Sequence, residues 1–327
     1  MKILFGGETN GNGGPPNVNK GFVQNLTKRF VYLRSRNRYL KYIEPLCKSL
    51  FCNVLVASGV SRIACMLVGL AKLFGKKSVY IMHGCAEYET VVNKQEHVES
   101  FLRQEKYLLE HADLILPVSE RFMKWAQSRY PQYAGKMNYL YNGIDCTALK
   151  DLPSRPKKPG TIVAVGADRG VKNNMPLALA VEALAGEADL EIYGTIYHGV
   201  PNNDFRHVKY LDKLSHDAFL EKLGETELFV LNSIFESYGL SVIEALACGC
   251  SILVSEIAGV TGILALEESD IIRDPMDTEA LQRKIRYLQQ NPNNKRILSQ
   301  LNMEEWSYGK AVERLEQLCW KLVNKGI

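Results

Sequence analysis

Residues 229–249 are FVLNSIFESYGLSVIEALACG, and the fold predicted for the chain follows from this segment. Its first residues belong to a short apolar run, Leu228 to Leu231, of the kind that a buried parallel strand shows. Small polar residues and Gly239 interrupt the run, and apolar residues then recur at helical spacing between Leu240 and Ala247. The pattern predicts a strand, a loop and a helix. The loop is placed at the carboxyl end of a strand, where open α/β sheets bind ligands.

Two carboxylates lie in this stretch, Glu236 in the loop and Glu244 on the helix. Taken singly, each is most simply explained as a solvated side chain, or as one that favours the helix dipole. The backbone N–H groups at the helix start, at Gly239 and Leu240, favour an anion and above all a phosphate. An anion site flanked by two acids suits a ligand that carries both phosphates and sugar hydroxyls.

This arrangement resembles a known family, the retaining glycosyltransferases of the GT-B fold, family 4, also called glycosyl transferases group 1. The family pattern is similar to Ser-x-x-Glu-x-Phe-Gly-x4-Glu-Ala-x3-Gly, which this chain matches with Ser233, Glu236, Tyr238 in place of Phe, Gly239, Glu244, Ala245 and Gly249. The resemblance implies an α/β protein with two Rossmann-like parallel-sheet domains that face each other across a cleft. It also implies a C-terminal helix that crosses back to the first domain.

The domain organisation follows from length and pattern. A chain of 327 residues suits two domains, and alternating strand and helix patterns occur on both sides of a Pro-rich segment. We predict an N-terminal, acceptor-side domain over 1–148, a linker over 149–160, a nucleotide-sugar-binding domain over 161–305 and a final helical segment over 306–327. The strands predicted for the first domain are Lys2–Gly7, Phe30–Leu33, Asn53–Ser58, Ser78–His83, Leu114–Ser119 and Met137–Tyr141.

Two loops are candidates for the donor diphosphate. Arg169 and Lys172 follow the first strand of the second domain, where they are either ordinary loop cations or charge-assisted partners of a phosphate. The family has Arg directly after Gly, a place that Ala167 holds here, so Lys172 corresponds better than Arg169. The other loop contains Gly13 and Gly14 before a predicted helix, and it is similar to the Gly-Gly loop that faces the diphosphate in the family.

His83 ends a predicted strand of the first domain, at the edge where a ligand would bind. A lone histidine is more often structural than catalytic. The resemblance implies a role, since a histidine at this step of the family often contacts the donor sugar.

The charge is unevenly distributed. Residues 1–148 carry 20 Lys/Arg and 11 Asp/Glu, whereas residues 149–327 carry 20 and 25. Basic residues concentrate between Lys28 and Lys48, interleaved with aromatic ones. The stretch is either a solvated surface or a patch that docks on an anionic membrane. It contains no recognisable nucleic-acid-binding motif, so we expect no nucleic-acid partner.

Eight cysteines show no metal-ligand spacing, and no apolar run reaches the roughly 20 residues of a membrane span. We expect a cytoplasmic protein, peripheral on the inner face of the cytoplasmic membrane if the basic patch docks there. No cofactor and no metal site are predicted.

The predicted function is transfer of a sugar from a nucleotide-diphosphate sugar, UDP favoured over GDP, to a glycan or lipid-linked acceptor, in cell-surface polysaccharide biosynthesis. The resemblance implies retention of anomeric configuration without a metal ion. In this interpretation Glu236 and His83 contact the reacting sugar, Glu244 binds the ribose, and Arg169, Lys172 and the amides at Gly239 and Leu240 meet the diphosphate. A nucleotide-sugar epimerase, a glycoside phosphorylase and a non-catalytic nucleotide-sugar-binding protein are the alternatives.

Overall fold

The chain, seen here in a computed structural model, divides into two compact units. Unit 1 comprises Met1–Thr90, Gln95–Asp145 and Asn302–Ile327, and unit 2 comprises Val91–Lys94 and Cys146–Leu301. The residues that the structure describes are 1–11, 14–35, 37, 39–146, 152, 155–196 and 204–324. The chain passes from unit 1 to unit 2 after Asp145, and the sequence predicts this boundary after residue 148. It returns to unit 1 after Leu301, and the sequence predicts that boundary after residue 305.

Unit 1 is built on a five-stranded parallel sheet in the order β2-β1-β3-β4-β5. Its strands are β1 (Ile3–Gly7), β2 (Phe30–Tyr32), β3 (Val54–Ser58), β4 (Lys77–Met82) and β5 (Leu114–Pro117). Its helices are α1 (Gly14–Asn25), α2 (Leu40–Ser49), α3 (Arg62–Leu73), α4 (Ala86–Val92, whose last residues are counted with unit 2), α5 (Glu99–His111) and α6 (Glu120–Arg129). The central strand β3 is buried along its whole length, as its unbroken run of apolar residues predicts.

Unit 2 contains a six-stranded parallel sheet in the order β11-β10-β9-β6-β7-β8. Its strands are β6 (Lys158–Val165), β7 (Asp189–Tyr193), β8 (Val208–Leu211), β9 (Thr226–Leu231), β10 (Ser251–Ser255) and β11 (Ile271–Ile272). Its helices are α7 (Asn174–Glu182), α8 (His216–Glu225), α9 (Leu240–Ala247), α10 (Thr278–Gln290) and α11 (Asn294–Gln300). Each unit is therefore a Rossmann-like α/β layer structure, as the alternation of strand and helix patterns predicts.

The last helix, α12 (Tyr308–Asn324), belongs to unit 1 and packs on α1. Tyr308 inserts between two glycines: a Cβ on Gly21 would lie 2.2 Å from the Tyr308 ring, and one on Gly143 would lie 2.4 Å from it. The ring also meets Phe22 edge to face, with 5.7 Å between the centroids. The two glycines are thus needed for close packing of the C-terminal segment against α1 and against the residues around Gly143, beyond α6.

One strand prediction in unit 1 is wrong, and one helix of that unit was missed. Residues Met137–Tyr141 form no strand, and only Met137 makes an isolated bridge, to Ile115. The Asn138 and Leu140 amides donate to Ile115 O and Pro117 O, both at 3.0 Å, so the segment lies beside β5 without continuing the sheet as a regular strand. Helix α2 was not predicted, because Pro45 and interspersed charges obscure its helical pattern.

Candidate active site

The loop between β9 and α9 is the centre of the candidate site. Gly239 caps the start of α9 with φ 102° and ψ 51°, a left-handed conformation that glycine adopts without strain. The loop is held by backbone hydrogen bonds from Val260 N to Tyr238 O at 2.7 Å and from Ile234 N to Val171 O at 2.9 Å. The predicted helix, Leu240–Ala247, is confirmed at both ends.

Lys172 and Glu236 meet in this loop region, and their side chains form an ion pair. Only 10% of the lysine side chain and 14% of the glutamate side chain are exposed. The two residues are 64 positions apart in the chain, and the sequence predicts that both bind the same ligand. The structure brings their side chains together. Charges this far from water need a partner, and here each is the other's partner.

The backbone around Lys172 is shaped to bring its side chain to the loop. Lys172 ends a 3₁₀ turn, Gly170–Lys172, and the next residue, Asn173, is left-handed with φ 49°. A Cβ on Gly166 would lie 2.5 Å from Lys172 Cγ, so this position must be glycine for the lysine stem to lie across it. The Val171 amide donates to Asn93 Oδ1 at 3.1 Å. The lysine is thereby presented from a rigid turn.

Asn232 and Ser233 follow β9 directly and are buried. Asn232 Nδ2 donates to Pro275 O at 2.9 Å and to Asn173 O at 3.0 Å, which ties the loop to the Lys172 turn. In the part of the chain that the structure describes, Asn232 Oδ1 and Ser233 Oγ are buried without a hydrogen-bond partner. Unsatisfied buried polar atoms are uncommon, and two of them in succession mark this loop as specialised.

Glu244 lies on the second turn of α9 and has a partner that sequence reasoning missed. His216, the first residue of α8, has Nε2 3.0 Å from Glu244 Oε1. The hydrogen bond to Glu244 raises the pKa of His216. Nothing in the sequence connects the two residues, which are 28 positions apart, although Ser215-His216 does have the form of a helix start.

His83 follows β4 directly in unit 1. Its Nε2 lies 2.8 Å from Ser58 Oγ, at the end of β3. Burial lowers the pKa of His83 to about 4, so the imidazole is neutral at pH 7. A neutral imidazole carries one donor and one acceptor, so this group can form directed hydrogen bonds to a ligand.

The remaining predicted residues differ in setting. Gly14 is the first residue of α1 and is exposed, while Gly13 lies outside the described residues. Arg169 is exposed and directly precedes the 3₁₀ turn that carries Lys172. Leu240 is the first residue of α9, next to Gly239.

The fold agrees with that of solved GT-B proteins. The chain superposes on Anabaena HepE in complex with UDP-glucose with a TM-score of 0.68 and 13% identity, covering 98% of this chain and 100% of that one. It superposes on sucrose-phosphate synthase from Thermosynechococcus elongatus with a TM-score of 0.68 and 16% identity, covering 98% and 99%. At these identities the likeness shows the fold, which is GT-B.

The sequence resemblance has a counterpart in a family model. Residues 153–302, somewhat less than half of the chain, match the family described as glycosyl transferases group 1, which confirms the resemblance that this part of the sequence shows. A relative from Campylobacter jejuni is N-acetylgalactosamine-N,N'-diacetylbacillosaminyl-diphospho-undecaprenol 4-alpha-N-acetylgalactosaminyltransferase, 27% identical over 206 residues. The alignment covers 57% of this chain and about half, 53%, of that relative.

Proposed function

We propose that this protein is a retaining glycosyltransferase that moves a sugar from a nucleotide-diphosphate sugar to a glycan or lipid-linked acceptor. The observation that carries the proposal is the ion pair of Lys172 with Glu236, on the loop that leads to Glu244. One cation and two carboxylates at the carboxyl edge of a parallel sheet suit a ligand with both phosphates and hydroxyls. The match of residues 153–302 to glycosyl transferases group 1 supports the same chemistry.

The difficult part of this chemistry is the negative charge that grows on the departing diphosphate. Lys172 on its rigid turn, Arg169 beside it and the amides at the start of α9 are the positive groups proposed to meet that charge. Gly13 and Gly14, where the chain enters α1, are proposed to approach the diphosphate through backbone. With these groups in place, transfer is proposed to need no metal ion. A UDP donor is favoured because HepE was solved with UDP-glucose.

The two carboxylates are proposed to hold different parts of the donor. Glu236 would accept hydrogen bonds from sugar hydroxyls and stabilise positive charge on the ring carbon as the bond to phosphate breaks. Its pairing with Lys172 supports this, because a diphosphate on the lysine places the sugar carbon next to the glutamate. Glu244 would bind the ribose hydroxyls, which would replace His216 as its hydrogen-bond partner. The leaving phosphate is proposed to take the proton of the acceptor hydroxyl. The acceptor oxygen then bonds to the anomeric carbon on the face that the diphosphate leaves, which gives retention.

A lipid-linked acceptor is proposed from two observations. The name of the Campylobacter relative contains a sugar carried on diphospho-undecaprenol. In this chain, α2 and the residues that flank it expose a row of apolar side chains spaced three or four residues apart: Leu40, Ile43, Leu46 and Leu50, with Tyr39 and Phe51 at its ends. A helix whose apolar face is exposed suits the interface of a membrane. None of the helices described here is long and apolar enough to span one.

The basic residues of this region contribute unequally to such docking. Arg29 and Lys48 already pair with Glu316 and Glu44. Arg36 and Arg38 lie outside the described residues. Peripheral docking on the inner face of the cytoplasmic membrane, for cell-surface polysaccharide biosynthesis, is therefore proposed to depend on the apolar row of α2 as well as on charge.

Calorimetry with a panel of UDP- and GDP-sugars, followed by a diphosphate-release assay with a lipid-diphosphate sugar acceptor, tests the proposal. We expect one donor to bind and to release its nucleotide only when an acceptor is present. Glu244→Gln should weaken donor binding roughly 10-fold or more, which is the loss of one charge-assisted hydrogen bond. A protein that binds no nucleotide sugar, or that interconverts sugars without acceptor, would contradict the transferase.

A further inference from the structure

The carboxylate that is proposed to bind the ribose already has a partner in unit 2. His216 Nε2 lies 3.0 Å from Glu244 Oε1. The two side chains are 53% and 23% exposed, so the pair lies at the surface of unit 2, where a ligand can reach it. A ribose offers two neighbouring hydroxyls, and a carboxylate accepts from such a pair with both of its oxygens. The imidazole therefore holds one of the two oxygens that the ribose needs.

Both residues are held on helices that pack together. α8 begins at His216, and the side chain of Ser215 caps its first turn. Glu244 lies on α9, which packs against α8. Cys248, directly after α9, has its Sγ 3.6 Å from the carbonyl oxygen of Leu220 on α8. Because the two helices are fixed beside each other, the side chain of His216 is the part that moves when Glu244 changes its partner.

The charged groups around His216 are few. Glu244 faces it from α9, and Asp217 is the next residue of α8 itself. β9, which also packs on α8, carries one charged residue, Glu227, and that carboxylate accepts a hydrogen bond from the Gly160 amide at 2.7 Å. Asp217 stays beside the imidazole whether or not a nucleotide is bound. A change in the partner of Glu244 is therefore the change that His216 experiences.

We propose that His216 is a pH-dependent gate on the nucleotide site, whose protonated imidazole holds Glu244 and must release it before the ribose of a nucleotide can bind. The inference rests on the proposed function, in which Glu244 binds that ribose. The ligand that opens the gate is a nucleotide with two free ribose hydroxyls, whatever its base or sugar. Proton binding to His216 and nucleotide binding to Glu244 then oppose each other, and the opposition is reciprocal.

The direction of the pH effect follows from the pair. The hydrogen bond to Glu244 raises the pKa of His216, and a ribose that takes over Glu244 returns this pKa toward its ordinary value. Above the raised pKa the imidazole is neutral, and the nucleotide binds at full strength. Affinity falls as the pH drops from the raised pKa to the ordinary one, and it stays at the lower level below both. Ion pairs that are open to solvent are weak, so the full change should be about 2- to 5-fold.

Two variants of His216 fix the gate in its two states. His216→Asn carries no charge, and its side chain is too short to reach Glu244 as Nε2 does. It should bind UDP about 2- to 5-fold more tightly than the wild type at pH 5.5 and equally at pH 8.5. His216→Lys is charged at both values, so it should match the wild type at pH 5.5 and bind more weakly at pH 8.5. Calorimetry with UDP, and with GDP in parallel, measures these ratios, and comparison at the same pH cancels the titration of the phosphate.

A second histidine of unit 2 provides the matched control. His207 Nδ1 lies 3.0 Å from Asp189 Oδ1, which is also a pair of an imidazole with a carboxylate. Asp189 begins β7 and His207 directly precedes β8, so this pair lies at the sheet edge opposite to the candidate site. His207→Asn should bind UDP as the wild type does at both pH values. The diphosphate of 2′,3′-dideoxyuridine, which lacks the ribose hydroxyls, should not distinguish the wild type from either variant of His216.

The outcomes separate the gate from the proposed function. UDP affinities that are equal in the wild type and both variants of His216, at both pH values, would overturn the gate and leave the proposed function intact. Weaker binding by His216→Asn at pH 5.5, or tighter binding by His216→Lys at pH 8.5, would show that the imidazole assists the nucleotide, and would also overturn the gate. A wild-type protein that binds neither UDP nor GDP at either pH would reject the proposed function, and the gate with it.

Discussion

Replacing Glu236 by Gln tests the Lys172–Glu236 ion pair most sharply. With 10% and 14% of the two side chains exposed, the change leaves a mostly buried ammonium without its counter-charge. Removing one partner of a buried pair costs about 3–5 kcal/mol, and residual contact with water places the expected loss of unfolding free energy near the lower end of that range. Denaturant unfolding measures it. Adding Lys172→Met removes both charges and should recover most of the loss.

A matched control is Glu187→Gln, which breaks an ion pair with Arg286 whose side chains are 51% and 45% exposed. That variant should lose much less stability than Glu236→Gln, because an ion pair open to solvent contributes little. In ligand assays, Glu236→Gln should bind UDP at least as tightly as the wild-type protein, because the Lys172 charge becomes fully available to phosphate. Turnover should fall roughly 10- to 150-fold. If Glu236→Gln were as stable as the control variant, or if its UDP affinity fell in parallel with its turnover, the roles given to the Lys172–Glu236 pair would be wrong.

Three further predictions concern the diphosphate, a histidine and the membrane. Lys172→Met should weaken UDP binding more than UMP binding in calorimetry, and equal losses would place the lysine away from the terminal phosphate. His216 has a raised pKa, so its pair with a carboxylate stabilises the fold below the ordinary histidine pKa and is lost as pH rises through the raised one. The free energy of unfolding of His216→Asn should therefore be about 0.5 kcal/mol lower than that of the wild type at pH 6 and equal to it at pH 9. A difference that persists at pH 9 would contradict the pairing. Ile43→Ser with Leu50→Ser should reduce co-sedimentation with anionic vesicles. Leu73→Ser, at a leucine outside the row that is more exposed than either residue, should not, and equal effects would remove that surface from membrane binding.

The strand, loop and helix around Glu236 could be predicted from sequence because local periodicity determines them. The apolar run ends where β9 ends, and the apolar spacing between Leu240 and Ala247 is that of one helix face packed on the sheet. Gly239 marks the turn because no other residue adopts its backbone conformation without strain. Each of these signals lies within a few residues of the element that it predicts.

Contacts between distant segments could not be predicted in the same way. His216 reaches Glu244 from the start of another helix, and Ser58 reaches His83 from a neighbouring strand. Pairing of this kind depends on which strands are adjacent in the sheet, and periodicity does not report it. The apolar row of α2 was missed for a different reason, since a helix with Pro45 inside and its apolar face in water matches no pattern of a packed helix.

The stereochemistry of transfer shows whether the protein is a retaining glycosyltransferase that depends on Glu236. The protein is incubated with an α-linked UDP-sugar, a lipid-diphosphate sugar acceptor and anionic vesicles, and the new linkage is identified from the anomeric proton coupling of the isolated product. A retaining glycosyltransferase built around Glu236 predicts UDP release and an α-linked product, both strongly reduced in Glu236→Gln. A β-linked product, or transfer that Glu236→Gln leaves at the wild-type rate, would contradict it.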